Sequence, residues 1–172
     1  MLQGLNCNAV GCSGADANSI KSVKRPVSDV DYGFVGDIQK VNSKYISLLI
    51  NAGLTPVFSA ITHNNKGQLL NTNADTIAAS ISKSLADVFY ITLFYCFEKT
   101  GVLEDKNDDN SVIKIIDKAK YRDLLKSGVV SDGMLPKLQN CFDALENQVS
   151  KVCVGQQSML SDHSNNYTTL TL

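Results

Sequence analysis

Between Val88 and Cys96 the chain runs Val-Phe-Tyr-Ile-Thr-Leu-Phe-Tyr-Cys, with no charged residue. A run so rich in β-branched and aromatic residues predicts a strand buried on both faces, hence a sheet covered by helices on either side. The flanking segments agree. Ile77, Ile81 and Leu85 recur at helical spacing before it, and Leu138, Phe142 and Leu145 share one helical face after it.

Strand-like and helix-like segments alternate along the rest of the chain, the pattern of a parallel sheet with helical crossovers. Asn8–Cys12 reads as a short strand followed by a turn-rich stretch to Asn18. Gly33–Val41 alternates apolar and polar residues as a half-exposed hairpin does. Asn42 or Ser43 caps a helix carrying Ile46, Leu49 and Ile50, which ends at Gly53. Pro56–Ile61 and Gln68–Leu70 read as strands around the turn Asn64–Gly67. Helices over 118–126 and 133–147, a strand at Lys151–Val154 and a last strand at Tyr167–Leu172 complete the order. The expected fold class is α/β, a three-layer αβα sandwich with a mainly parallel sheet and Val88–Cys96 at its centre.

Composition narrows the function classes. With 172 residues, 44% hydrophobic and 19% charged, the chain is long enough to bury a core. A net charge of -1 argues against nucleic acid or an anionic membrane surface as partner. No apolar run approaches the roughly 20 residues that span a bilayer, and Met1–Leu5 is not a signal peptide. Cys7, Cys12, Cys96, Cys141 and Cys153 are scattered, four of them in apolar segments, and read as buried reduced thiols. His63 and His163 lie far from any cysteine pair, so no metal site is expected. A reducing cytoplasm suits this chain.

The chemistry gathers in two segments. In Leu69–Ser80, Asn71, Asn73 and Asp75 alternate where a strand becomes a helix. Asn or Asp caps a helix start, and an acid in the first turn gains about 0.3–1 kcal/mol from the dipole. Capping explains any one of the three, but it does not call for all three in alternation. In Ser131–Lys137, Ser131 or Asp132 caps a helix with Pro136 in its first turn. Lys137 there opposes the helix dipole, where stability alone would favour an acid. A solvated surface lysine is the plain reading. An anion held jointly by Lys137 and the helix amides is the functional one.

These two segments resemble the acetylglutamate kinases of the amino-acid kinase superfamily, with supporting similarity from Ala9 to about Val152. The resemblance implies transfer of the γ-phosphoryl group of ATP, brought as its Mg2+ complex, to the side-chain carboxylate of N-acetyl- or N-succinyl-L-glutamate in arginine biosynthesis. It implies catalytic roles for Lys137 and Asp75, and substrate binding by Asn71 and Asn73. Nucleotide binding would fall to Glu98, Gly101, Val102, Leu103, Ser131, Gly133 and Lys137. The position matched by Asp75 orients the catalytic lysines. No base is needed, since a glutamate side chain with a pKa of about 4.3 is already an anionic nucleophile. Phe97–Leu103 looks like the family's Asp-Val-x-Gly-Val-Leu loop, with Glu98 for Asp and Lys99 for an apolar residue. The acidic run Glu104–Asn110 fails as an EF-hand, because the turn glycine would fall on Asn110 and the closing Glu on Ile116.

The resemblance begins partway into the family pattern, after its Lys-x-Gly-Gly and Gly-Gly-Gly phosphate loops. The amino-acid kinase-like fold is therefore expected to be N-terminally incomplete, and this chain alone a poor kinase. Residues 1–87 would be the remainder of the acylglutamate-binding half and 88–172 the nucleotide-binding half, on one continuous sheet. The expected partners are N-acylglutamate and ATP, with no nucleic acid and no membrane, and with room for a homo-oligomer. Two alternatives stand beside this: a non-catalytic nucleotide-binding or assembly module of the same fold, and another superfamily member such as a carbamate, uridylate or aspartate kinase.

Overall fold

The computed structural model describes residues 2–105, 107–127, 134–161 and 166–172. The chain divides into two units, Met1–Leu85 and Ala86–Leu172. It is a mixed α/β protein whose strands pair mostly in parallel, with four α-helices among the described residues. Among the described residues, hydrogen-bonded pairing forms three ladders, each inside one unit.

In the first unit, β1 (Ala9–Cys12) and β4 (Thr55–Phe58) form a parallel pair. The second ladder runs in the order β3 (Gly36–Val41), β2 (Ile20–Lys24), β5 (Ile61–His63) and β6 (Leu69–Asn71). The hairpin read at Gly33–Val41 is only half of the real one. Its other arm is β2, placed where the turn-rich reading stopped, and Arg25 closes the arms through an ion pair to Asp37 at 2.6 Å. The stretch read as one strand over Pro56–Ile61 is two, β4 and β5, which belong to different ladders.

α1 (Ser43–Asn51) begins as the sequence predicts, with the Asn42 side chain accepting from the Tyr45 N–H at 3.2 Å. Ile46 and Leu49 are buried, whereas Ile50 is exposed. Gly53 ends the helix at φ +76°, a conformation open to glycine, and Leu54 N–H then donates back to Leu49 O at 3.0 Å. α2 (Ala74–Leu85) buries Ile77 and Leu85 and packs against α1 and β3.

In the second unit the ladder order is β7 (Thr92–Cys96), β9 (Lys151–Gly155), β10 (Thr168–Leu170) and β8 (Ile115–Ile116). β7–β9 and β8–β10 are parallel, and β9–β10 is antiparallel. α3 (Lys118–Ser127) packs on β8 and α4 (Leu135–Glu146) on β9. The apolar run at 88–96 corrects the sequence reading twice. The strand starts only at Thr92, and among the described residues it is the end strand of its ladder, not the centre. Leu93 and Tyr95 face the core while Phe94 and Cys96 face outward, a half-buried strand. Val88 and Tyr90, read as strand core, lie exposed before it. An unbroken apolar run had concealed the strand's period of two.

The thiols follow burial. Cys12, Cys141 and Cys153 are buried and reduced, Cys7 is half-buried, and Cys96 is exposed where the sequence reading had it in the core. Burial pushes the Cys12 and Cys153 thiols up, so thiolate is scarce there at neutral pH. Under native conditions Cys96 should therefore react first with iodoacetamide. Cys12 and Cys153 should react only on unfolding, as peptide mass mapping after timed alkylation will show.

Candidate functional site

The first cluster sits where β6 becomes α2. Along this stretch Leu70 and Thr72 point inward and are buried, while Asn71 and Asn73 point outward and are exposed. The alternation noted in the sequence is thus the strand's own period carried past its end. The inward side is locked by hydroxyls. Thr72 Oγ1 lies 2.8 Å from Thr62 Oγ1 and donates to Gly36 O at 3.2 Å, and the Thr72 N–H donates to Ala60 O at 2.9 Å. Asn71 is held through its backbone, whose N–H donates to Phe34 O at 2.8 Å. Its amide side chain is presented on the exposed side of a rigid junction.

Asn73 has a structural task. Its Oδ1 accepts from the Thr76 N–H at 3.0 Å and from the Thr76 hydroxyl at 3.3 Å, so it is the cap that starts α2. Asp75 follows in the first turn, half-buried, beside the positive end of the helix dipole. Asn73→Ala should cost about 1 kcal/mol of stability through loss of this cap. Urea denaturation followed by circular dichroism measures it. An effect confined to ligand affinity would make Asn73 a binding residue instead.

The second cluster belongs to the second unit. Lys137 lies in the first turn of α4, and its Nζ stands 5.5 Å from the centroid of the Tyr95 ring on β7. The ring is buried and presents its electron-rich face to the ammonium. The lysine is therefore half-buried and seated on β7 near that strand's carboxyl end, the edge where open α/β sheets bind ligands. A freely solvated surface lysine is not what the structure shows.

The loop after β7 is more structural than the sequence suggests. Phe97 N–H donates to Gly155 O at 3.0 Å, and the Gln156 side chain donates to Glu98 O at 2.8 Å, leaving the Glu98 carboxylate exposed. Gly101, Val102 and Leu103 are buried. Val102 N–H donates to Thr168 Oγ1 at 2.8 Å, and that hydroxyl donates on to Ile113 O at 2.7 Å. With their side chains in the core, Val102 and Leu103 would meet a nucleotide through the backbone. Thr168, which ties three segments together, is missing from the sequence reading, since a lone threonine in a terminal strand carries no signal of its partners. The acidic run folds on itself. Asp105 and Asp108 carboxylates accept from Asn107 and Asn110 N–H at 2.9 Å each, and Asp109 pairs with Lys99 at 2.8 Å. Ser131 and Gly133, assigned to the nucleotide from the sequence, lie outside the described residues.

Among the described residues no group of three or more His, Cys, Asp or Glu could hold a metal ion, and no helix is long and apolar enough to cross a membrane. Each cluster thus joins a helix start to exposed or half-buried polar groups.

Comparison with known proteins adds to this geometry. The model of the amino acid kinase family matches residues 1–156. The acetylglutamate kinase of Phocaeicola vulgatus is 50% identical over 163 residues, covering 95% of this chain and 63% of that protein. That of Brachyspira hyodysenteriae is 38% identical over 151 residues, covering 87% of this chain and 51% of that protein. The chain thus spans less than two thirds of the length of these relatives. Among solved structures, N-acetylglutamate synthase from Neisseria gonorrhoeae superposes with a TM-score of 0.80 at 17% identity, covering 99% of this chain and 39% of that one. Giardia carbamate kinase superposes with a TM-score of 0.67 at 14% identity, covering 98% and 64%. At such identities the likeness to the solved structures speaks for the fold alone.

Proposed function

The chain belongs to the amino acid kinase family, and on that premise we propose that the natural protein carrying it phosphorylates the side-chain carboxylate of N-acetyl-L-glutamate with MgATP. The observation that carries this reading is the β6–α2 junction. It presents Asn71 outward with Asp75 in the next turn, inside a stretch half identical to an acetylglutamate kinase.

One carboxylate oxygen of the substrate attacks the γ-phosphorus, the bond from that phosphorus to the β–γ bridging oxygen breaks, and ADP leaves with the electron pair. The product is an acyl phosphate. No proton moves, because the nucleophile is already an anion. The protein's contribution is position and charge. Asn71 holds the acylglutamate, Lys137 balances the negative charge of the phosphoryl group in transit, and Asp75 orients lysine ammoniums toward it. The backbone of the Glu98–Leu103 loop faces the nucleotide.

The test is ADP release together with hydroxylamine trapping of the acyl phosphate, offering N-acetyl-L-glutamate and N-succinyl-L-glutamate in parallel. Turnover on the acetyl substrate is expected. Preference for the succinyl substrate would change the acyl group and keep the reaction. Turnover only on carbamate, uridylate or aspartate, or nucleotide binding with no transfer at all, would overturn the proposal.

A further inference from the structure

A row of basic side chains crosses the second ladder of the first unit. Lys21 on β2 pairs directly with Lys40 on β3, and on its other side with His63 on β5. Residues in matched register on adjacent strands project from the same face about 4.8 Å apart. The sheet thus sets Lys40, Lys21 and His63 side by side. Like charges directly opposed across strands are unfavourable, so this row calls for a counter-charge.

The residues that line the adjoining cavity do not supply one. The row lines a cavity of about 300 Å³ whose other walls are Asn18, Asn42 and Asn65. No carboxylate is among these residues. Their polar ends offer two ammoniums, an imidazole and three amides.

His63 adds an independent sign. Its side chain is only 8% exposed. Nδ1 accepts from the Asn65 N–H at 3.1 Å, so in the neutral ring the proton sits on Nε2. That Nε2 is buried and has no hydrogen-bond partner. The imidazole thus forms part of a wall shared with two lysines, with an unmet donor buried just behind that surface.

We propose that this cavity binds a phosphate-type dianion, either free phosphate or the phosphoryl group of a small ester. A dianion balances both lysines where a single carboxylate would balance one. Its oxygens can accept from Lys40 and Lys21 together, which ordinarily makes strong, charge-assisted bonds, and from His63 once the ring turns its buried Nε2 toward the cavity. The volume exceeds that of a phosphate group, leaving room for the alcohol portion of an ester. The site uses none of Asn71, Asp75 or Lys137, goes beyond the phosphotransferase reading, and stands whether or not that reading survives.

The test uses the intact chain, labelled with 15N in its histidines, titrated at constant ionic strength with inorganic phosphate, glycerol 3-phosphate and acetate. Phosphate or the ester should shift the His63 Nε2 resonance saturably, while acetate should not. The double variant K21Q/K40Q, both positions being solvent-accessible in part, should keep or slightly raise the urea midpoint and raise the dissociation constant at least tenfold, by calorimetry. Tighter binding of the ester than of phosphate would mark a phosphorylated metabolite as the ligand, and the reverse free phosphate. Either order supports the site. Absence of saturable binding by both, an equal response to acetate, or undiminished binding by the folded double variant would overturn it.

Discussion

Replacing Lys137 with methionine should lower kcat of the natural protein carrying this chain by about a hundred- to a thousandfold, the usual consequence of removing one preorganised charge from a transferring group. KM for N-acetyl-L-glutamate should change little. On the proposed reading the ammonium is needed most when the phosphoryl group lies between donor and acceptor, so its loss falls on the transition state and not on substrate binding. Methionine keeps an unbranched stem of similar length and removes the charge. Two small effects on stability then oppose each other. A contact worth about 0.5–1 kcal/mol with the ring is lost. An unfavourable cation at the positive end of α4 is also lost, a gain of similar size. These two effects by themselves leave the urea midpoint close to wild type. If the variant unfolds while activity per folded molecule persists, Lys137 is a packing residue of β7 and α4, and the phosphoryl-clamp role falls. Asn71→Ala should show the complementary pattern, raising KM for the acylglutamate with a smaller change in kcat.

Much of this was legible in the sequence where a local rule has one outcome. The Asn42 cap, the Gly53 stop and the Ile46–Leu49 face of α1 follow from residue types within a single turn of chain. The Asn71–Asp75 alternation was visible too, though its cause was not. Leu70 and Thr72 must go inward, so Asn71 and Asn73 go outward. What stayed hidden depends on partners distant in sequence. β2 was missed because Ile20–Lys24 carries two lysines and reads as a loop until β3 and β5 flank it. The rank of β7 as an end strand is set by which ladders close, which composition cannot report. The double task of Thr168 lies in Val102 and Ile113, far away in the chain. The same blindness covered His63, an unremarkable residue until β2 brings Lys21 beside it.

Gly101 separates a nucleotide contact from a packing requirement. A Cβ at this position would lie 2.7 Å from both Thr168 Oγ1 and Val112 Cγ1, and 3.1 Å from the Thr168 backbone nitrogen. The hydroxyl cannot retreat cheaply, because it is fully buried and bridges Val102 N–H to Ile113 O. Gly101→Ala therefore forces an overpacked contact, about 1–3 kcal/mol, and disrupts a buried hydrogen-bonded pair whose loss costs a similar amount again. We expect a loss of about 2–5 kcal/mol by urea denaturation, a large share of the roughly 5–15 kcal/mol that holds a typical domain. The mechanism has its own signature. Thr168→Ala alone should destabilise, since it strands the Val102 N–H. Combined with Gly101→Ala it removes one of the two 2.7 Å contacts of the new methyl, the other being with Val112 Cγ1, so the double variant should lose less than the sum of the two. Additive losses would place the clash elsewhere. A Gly101→Ala protein of wild-type stability that no longer binds ATP would return the residue to the nucleotide site, where the resemblance first put it.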